Sequence, residues 1–170
     1  MPSILKTKLE AIANAIVIVM ALAVGGVVLA RYAASYHTPR SVAVGDHLAR
    51  FPGLDWSQHR RTLLLVLNTG CHFCQDSVPF YQKLVQARRH DSNSVEVVAV
   101  FPNEAEIVRQ FTTEENLAIR SVSGVPLDKL GVNATPTLIL VNDEGQVQQS
   151  WVGVLTARQE IEVLKLASGS

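Results

Sequence analysis

The sequence lacks an excess of either charge, since fifteen lysines and arginines balance fifteen aspartates and glutamates. No basic field draws a polyanion, so nucleic acid is excluded as the expected partner. Cysteine is scarce as well, with two residues in the chain. A zinc knuckle would therefore need two further ligands, and His37, His47, His59 and His90 show no paired metal spacing. Internal repeats and low-complexity tracts are missing. At 170 residues the chain is too short for two full domains with separate cores, which leaves one domain and an appendage. Aromatic residues make up only 6% although hydrophobic residues reach 48%, and much of that apolar content sits in one N-terminal block.

The block covers residues 12–30 and reads IANAIVIVMALAVGGVVLA, free of charge and with Asn14 as its strongly polar residue. A helix of this length matches a bilayer core at about 1.5 Å of rise per residue. The expected organisation is a cytoplasmic leader over 1–11, a transmembrane anchor over 12–31, a tether and lead-in loop over 32–60, and a folded domain over 61–170. A cleaved secretory signal is the alternative, because Lys6 and Lys8 precede the run and Ala33, Ala34 and Ser35 are small. Its apolar stretch is ordinarily shorter, roughly 7–15 residues. Arg31 and Arg40 follow the span, so the positive-inside bias is nearly balanced. The lysines fit a signal anchor with its N-terminus inside, and a dithiol fits the oxidising side of the membrane.

Beyond the tether, the continuous apolar run Thr62–Asn68 reads as a strand buried on both faces. Phe73–Arg89 reads as a helix with Val78, Tyr81, Leu84 and Val85 inward, kinked by Pro79. Val95–Phe101, rich in β-branched residues, is a second buried strand. Asn103–Glu115 reads as a helix capped by its asparagine, followed by a short strand at Ala118–Val122 and a helical turn at Pro126–Leu130. Thr137–Val141 and Gln146–Val152 form a hairpin across Asn142–Gly145. Thr156–Leu166 closes the chain as a helix, with Thr156 as its cap and Ile161, Leu164 and Leu166 inward. Early βαβ units imply parallel pairing and the hairpin an antiparallel edge. The fold class is therefore α/β, a mixed sheet with helices on both faces.

The two cysteines form Cys71-His72-Phe73-Cys74. Two cysteines placed at random fall at this spacing about one time in a hundred, so the arrangement carries information. It stands where a buried strand meets a helix, and the unpaired N–H groups of a first helical turn favour thiolate over thiol. Cys71 is the expected acidic, exposed sulfur. Cys74, one turn on, is the expected buried sulfur that attacks a mixed disulfide. Covalent haem attachment would need histidine directly after Cys74, where Gln75 stands, and so short a loop makes a poor structural staple.

These residues resemble the thioredoxin superfamily, and with the N-terminal anchor they most resemble the TlpA-like and ResA-like membrane-anchored thioredoxins. The resemblance spans roughly residues 60–167 and rests on four features in order: Cys71 and Cys74 at a helix head, Pro79 five residues on, Thr135-Pro136-Thr137 before an apolar strand, and Gly153 after the last strand. It implies a thioredoxin-like fold, a redox-active Cys71–Cys74 disulfide with no other cofactor, and a cis proline at Pro136. Thr135 and Pro136 would then meet an extended substrate segment. Gly70 replaces a tryptophan frequent in the family, and Leu65 replaces the buried acid of cytoplasmic thioredoxins. Ser77 replaces a glutamate of the TlpA-like and ResA-like proteins. His72 between the cysteines would stabilise the Cys71 thiolate if protonated, or face solvent. Gly70, His72, Phe73 and Pro79 are thus candidate modulators of the pair.

The resemblance implies a periplasmic thiol-disulfide oxidoreductase in the inner membrane. Its expected clients are protein thiols such as those of apocytochrome c or another metalloprotein precursor, which would place it in cytochrome c maturation. A peroxide-reducing redoxin is a related reading, since Val98–Asn103 (VAVFPN) resembles that group, but Asn68 stands where its threonine is expected. The contrasting class is a thioredoxin-scaffold copper-binding metallochaperone, whose cysteines are usually spaced by three residues and joined by a distant histidine.

Overall fold

The computed structural model describes residues 3–35, 42–87 and 95–168. The chain divides into two compact units, Met1–Thr38 and Pro39–Ser170. In the first, Ser3–Ser35 forms one 33-residue helix, α1. Its window Asn14–Arg31 has a mean hydropathy of 2.1 with none of it buried. Val17, Leu22, Val24 and Leu29 are all exposed. By length and composition this helix can cross a membrane.

The second unit is built on five strands: β1 (Arg61–Val66), β2 (Glu96–Val100), β3 (Arg120–Val122), β4 (Thr137–Asn142) and β5 (Val147–Val152). Their order is β3-β2-β1-β4-β5. β1 pairs parallel with β2, and β2 with β3. The β1–β4 and β4–β5 pairs are antiparallel. This is the expected mixed sheet. β1 lies at its centre, which explains why its residues are apolar in succession rather than alternately: Leu63 and Leu65 enter one layer, Leu64 and Val66 the other.

The first layer is helical. α2 (His72–Asp76), α3 (Val78–Ala87), α4 (Ala105–Glu114) and α5 (Ala157–Ser168) carry the side chains around it, with Cys74, Phe80, Tyr81, Leu84, Phe111 and Val163 in its core. The expected long first helix is broken at Ser77, whose hydroxyl donates to the Phe73 carbonyl at 2.8 Å. Pro79 lies two residues beyond the break, where it needs no N–H partner in the first turn of α3. Arg88 and Arg89, expected to end that helix, lie outside the described residues. α5 presents Val163 and Ala167 to the core, with Leu164 and Leu166 half-buried beside them; Ile161, expected inside, is 56% exposed. Thr156 caps α5 as expected, its hydroxyl accepting from the Gln159 N–H.

The opposite layer shows what the sequence hid. Val42, Leu48, Leu54 and Trp56 are buried there with Val125, Leu130 and Val132. The described part of the expected tether, residues 42–60, is thus a wall of this unit, with two 3-10 turns on the same side at Trp56–Gln58 and Leu127–Leu130. It is fastened by main chain: Gly45 N–H donates to Val147 O at 2.8 Å and Leu48 N–H to Gly145 O at 2.9 Å. Gly145 has φ +82°, and a Cβ there would lie 2.7 Å from the Trp56 indole. A glycine is required on both counts.

Candidate active site

The C-terminal ends of β1 and β2 lie side by side, which brings the loops that follow them together. Residues 67–71 leave β1 and turn into α2, with Cys71 at its N-cap position in extended conformation (φ −91°, ψ 114°). Cys74 is fully buried and Cys71 is partly open. The Thr135–Pro136 peptide bond is cis, as the resemblance implied. The Cys71 thiol donates to the Thr135 carbonyl at 3.2 Å. Gly153, after β5, joins the same place through its N–H, 2.8 Å from the Pro136 carbonyl. Three segments distant in sequence thus meet around one partly exposed sulfur.

The two thiols differ in acidity. Partial burial works to raise the Cys71 pKa, but the Thr135 side chain, the Cys74 thiol and the N–H groups of Cys74 and Phe73 together overcome it and leave Cys71 below the ordinary thiol value. α2 spans only five residues, so these neighbouring donors favour the thiolate rather than a long macrodipole. Burial dominates at Cys74 and pushes its pKa up to about 12, opposed by the Asn68 main-chain N–H. Tyr81 lies nearby with its hydroxyl buried. Burial raises its pKa, and both sulfurs reinforce the rise while Ser77 opposes it.

The raised Cys74 pKa has a sign-definite effect on stability. The folded thiol holds its proton above about pH 8.5, where the unfolded one releases it, so folding loses free energy as pH rises from there towards about 12. Between pH 8.5 and 10 the reduced protein should lose about 1–1.5 kcal/mol through this group. Urea unfolding at both pH values checks this, and Cys74→Ser should remove most of that loss.

The candidate modulators are not equally placed. His72 is exposed and pairs with the Asp76 carboxylate at 3.2 Å along the outer face of α2. Phe73 is 58% exposed beside Cys71. Gly70 donates its N–H to Asn68 Oδ1 at 2.9 Å. A Cβ on it would meet only that atom, at 3.6 Å, an ordinary van der Waals contact. The sequence reading missed the loop's own fastenings. Asn103, expected to cap α4, accepts from the Thr69 N–H at 3.2 Å, and Gln75 Nε2 donates to the Thr69 carbonyl at 3.0 Å. A polar residue at the end of the strand parallel to β1 was the signal available, because parallel neighbours place their following loops together.

Comparison with known proteins agrees with this geometry. Residues 51–165 match the family model Redoxin. The thiol-disulfide oxidoreductase ResA of Halalkalibacterium halodurans is 29% identical over 102 residues, 58% of this chain and 57% of that protein. The chain thus spans little more than half the length of that relative. Among solved structures, a protein described as thiol:disulfide interchange protein DsbE from Chlorobium tepidum superposes with a TM-score of 0.60 at 24% identity, covering 76% of this chain and all of that one. StoA from Bacillus subtilis gives 0.53 at 21% identity, covering 73% and 96%. Both share the thioredoxin-like fold. The matched segment exceeds half of the chain, and the protein belongs to the Redoxin family.

Proposed function

We propose that this protein is a membrane-anchored thiol-disulfide oxidoreductase that exchanges disulfides with extracytoplasmic protein thiols through Cys71 and Cys74. The observation that carries the reading is the opposite displacement of the two thiols, one acidic and partly open, the other buried and pushed up to about 12. A nucleophile must be ionised and reachable, and a resolving thiol must stay silent until it is needed.

In the reductive direction the Cys71 thiolate attacks one sulfur of a client disulfide and expels the other as a thiolate. The Thr135 main chain, at the mouth of the site, supports an extended client segment by strand-like pairing. Both the hydrogen bond and the charge of Cys71 hold the Cys74 pKa up. Capture of Cys71 in the mixed disulfide removes both effects, so Cys74 ionises more readily once its target exists, while burial still holds its pKa up. Its thiolate then bonds to the Cys71 sulfur and releases the second client thiolate, leaving an intramolecular disulfide and a client reduced by two electrons. The oxidative direction is the reverse.

The relatives' names, ResA and DsbE among them, support protein thiols as the client class, with apocytochrome c or another metalloprotein precursor as the client we favour. Lys6 and Lys8 ahead of α1 support an inward N-terminus. A reporter fused after Ser170 should accordingly be active outside the cytoplasm and silent within it; activity inside would overturn the localisation. The activity itself is tested with the full chain in detergent, reduced and offered a disulfide-bonded protein. Stoichiometric reduction that disappears in Cys71→Ser supports the function, and reduction that persists in that variant refutes it.

A further inference from the structure

Asn103 occupies the place of a helix cap without serving the helix. α4 starts on Glu104, whose side chain makes no capping bond. Asparagine is among the best capping residues, so the helix forgoes a stabilisation that lay one residue away. The Asn103 oxygen instead reaches across the chain to the Thr69 N–H at 3.2 Å, and its main-chain carbonyl accepts from the Gly124 N–H at 2.9 Å. One residue therefore ties the loop after β1 to the loops after β2 and β3.

The tied loop bears on both sulfurs. Asn68 accepts from the Cys71 N–H through its carbonyl at 3.0 Å and from the Gly70 N–H through Oδ1 at 2.9 Å. Its own N–H works against burial to lower the Cys74 pKa. A hydrogen bond to a thiolate favours the charged form only while the donor stays aimed. Thr69, next in sequence, is clamped on both sides of its Cα, by Asn103 at its N–H and by Gln75 at its carbonyl.

We propose that Asn103 is a positioning residue for the resolving step: by fixing Thr69 it keeps the Asn68 N–H on the Cys74 sulfur and so supports the thiolate that attacks the mixed disulfide. The proposal rests on the dithiol reading and deepens it. Cys74 gives its proton to solvent, its sulfur bonds to that of Cys71, the bond from Cys71 to the client breaks, and the client sulfur leaves as a thiolate. Asn103 touches none of these atoms and acts through Thr69 and Asn68.

The test mixes the reduced full chain in detergent with equimolar dithiobis(nitrobenzoate). Attack by Cys71 releases one nitrothiolate, and resolution by Cys74 releases the second. Asn103→Ala should slow the second release about 10-fold, the worth of roughly one well-made hydrogen bond, and leave the first within about 2-fold. Asn103→Asp, whose carboxylate accepts from the same N–H, should restore the second release. An unchanged second release in Asn103→Ala, or equal slowing of both releases in every variant, overturns the proposal. If Asn103→Ala does not fold, Gln75→Ala frees the other end of Thr69 from an exposed position and should slow the same release; no effect there is equally decisive. A wild-type chain that gives no second release would fail before any variant is compared, and would overturn the dithiol reading together with the proposal.

Discussion

Cys74→Ser will turn the protein from a catalyst into a trap. The attacking thiol remains and the resolving one is gone, so each encounter with a disulfide-bonded client should end in a mixed disulfide through Cys71, while multiple turnover falls by about 10³-fold or more. The converse variant should trap almost nothing. A thiol with a pKa of about 12 is ionised at pH 7 to only about one part in 10⁵, against a few parts in a hundred for a free cysteine. Burial compounds this, because Cys74 exposes no surface to a client sulfur. Non-reducing gels of client mixed with each variant read the difference directly. Trapping by Cys71→Ser and not by Cys74→Ser would reverse the two roles.

The second large effect concerns the wall formed by residues 42–60. Trp56 is 1% exposed and packs among Leu48, Leu54, Leu64 and Val141, with its ring edge-on to Phe51 at 5.9 Å between centroids. Trp56→Ala should cost about 3–5 kcal/mol in unfolding free energy, as expected for a large buried side chain whose cavity cannot close. Gly145→Ala should also destabilise, since its Cβ meets the same indole at 2.7 Å. By the same argument a chain beginning at Thr62 should fail to fold, whereas one beginning at Tyr36 keeps the wall and should stay folded and redox-active. Urea titration of each variant provides the check. A folded, active chain from Thr62 would show that residues 42–60 are only a tether.

That wall was invisible in the sequence for a physical reason. Its buried residues, Val42, Leu48, Leu54 and Trp56, follow neither a helical nor a strand period, and its hydrogen bonds run to single main-chain groups of the β4–β5 hairpin rather than along a ladder. Periodicity finds elements that repeat, and this segment does not repeat. The strands were legible because burial on both faces leaves them continuously apolar, as in Leu63–Val66. The hairpin was legible because Asn142 and Gly145 supply the turn, Asn142 Oδ1 accepting from the N–H groups of Glu144 and Gln146. In α5 only Ile161 misled: Val163 and Ala167 are the fully buried side chains, Leu164 and Leu166 pack half-buried beside them, and Ile161 is exposed.

The site was legible to a similar degree. The cysteines carry their chemistry in their residue type and spacing, and Thr135-Pro136 was located through the resemblance to thioredoxins. The difference between the sulfurs is set first by the burial of Cys74 and then, at Cys71, by Thr135, the Cys74 thiol and the main-chain N–H groups of Cys74 and Phe73. Any residue type supplies such groups, and only the fold aims them. Asn103 was noticed for the helix it precedes, but its side chain is given to a loop 34 residues away.

The asymmetry of the two sulfurs is the claim on which the rest depends, and alkylation of the reduced full chain across a pH series measures it directly. With mass-spectrometric assignment of each labelled cysteine, Cys71 should react first, with a midpoint below that of an ordinary thiol. Cys74 should stay unlabelled until the pH approaches the value of about 12 to which burial drives it, or until the chain unfolds. Equal, slow labelling of both cysteines, or labelling of Cys74 ahead of Cys71, would contradict the account.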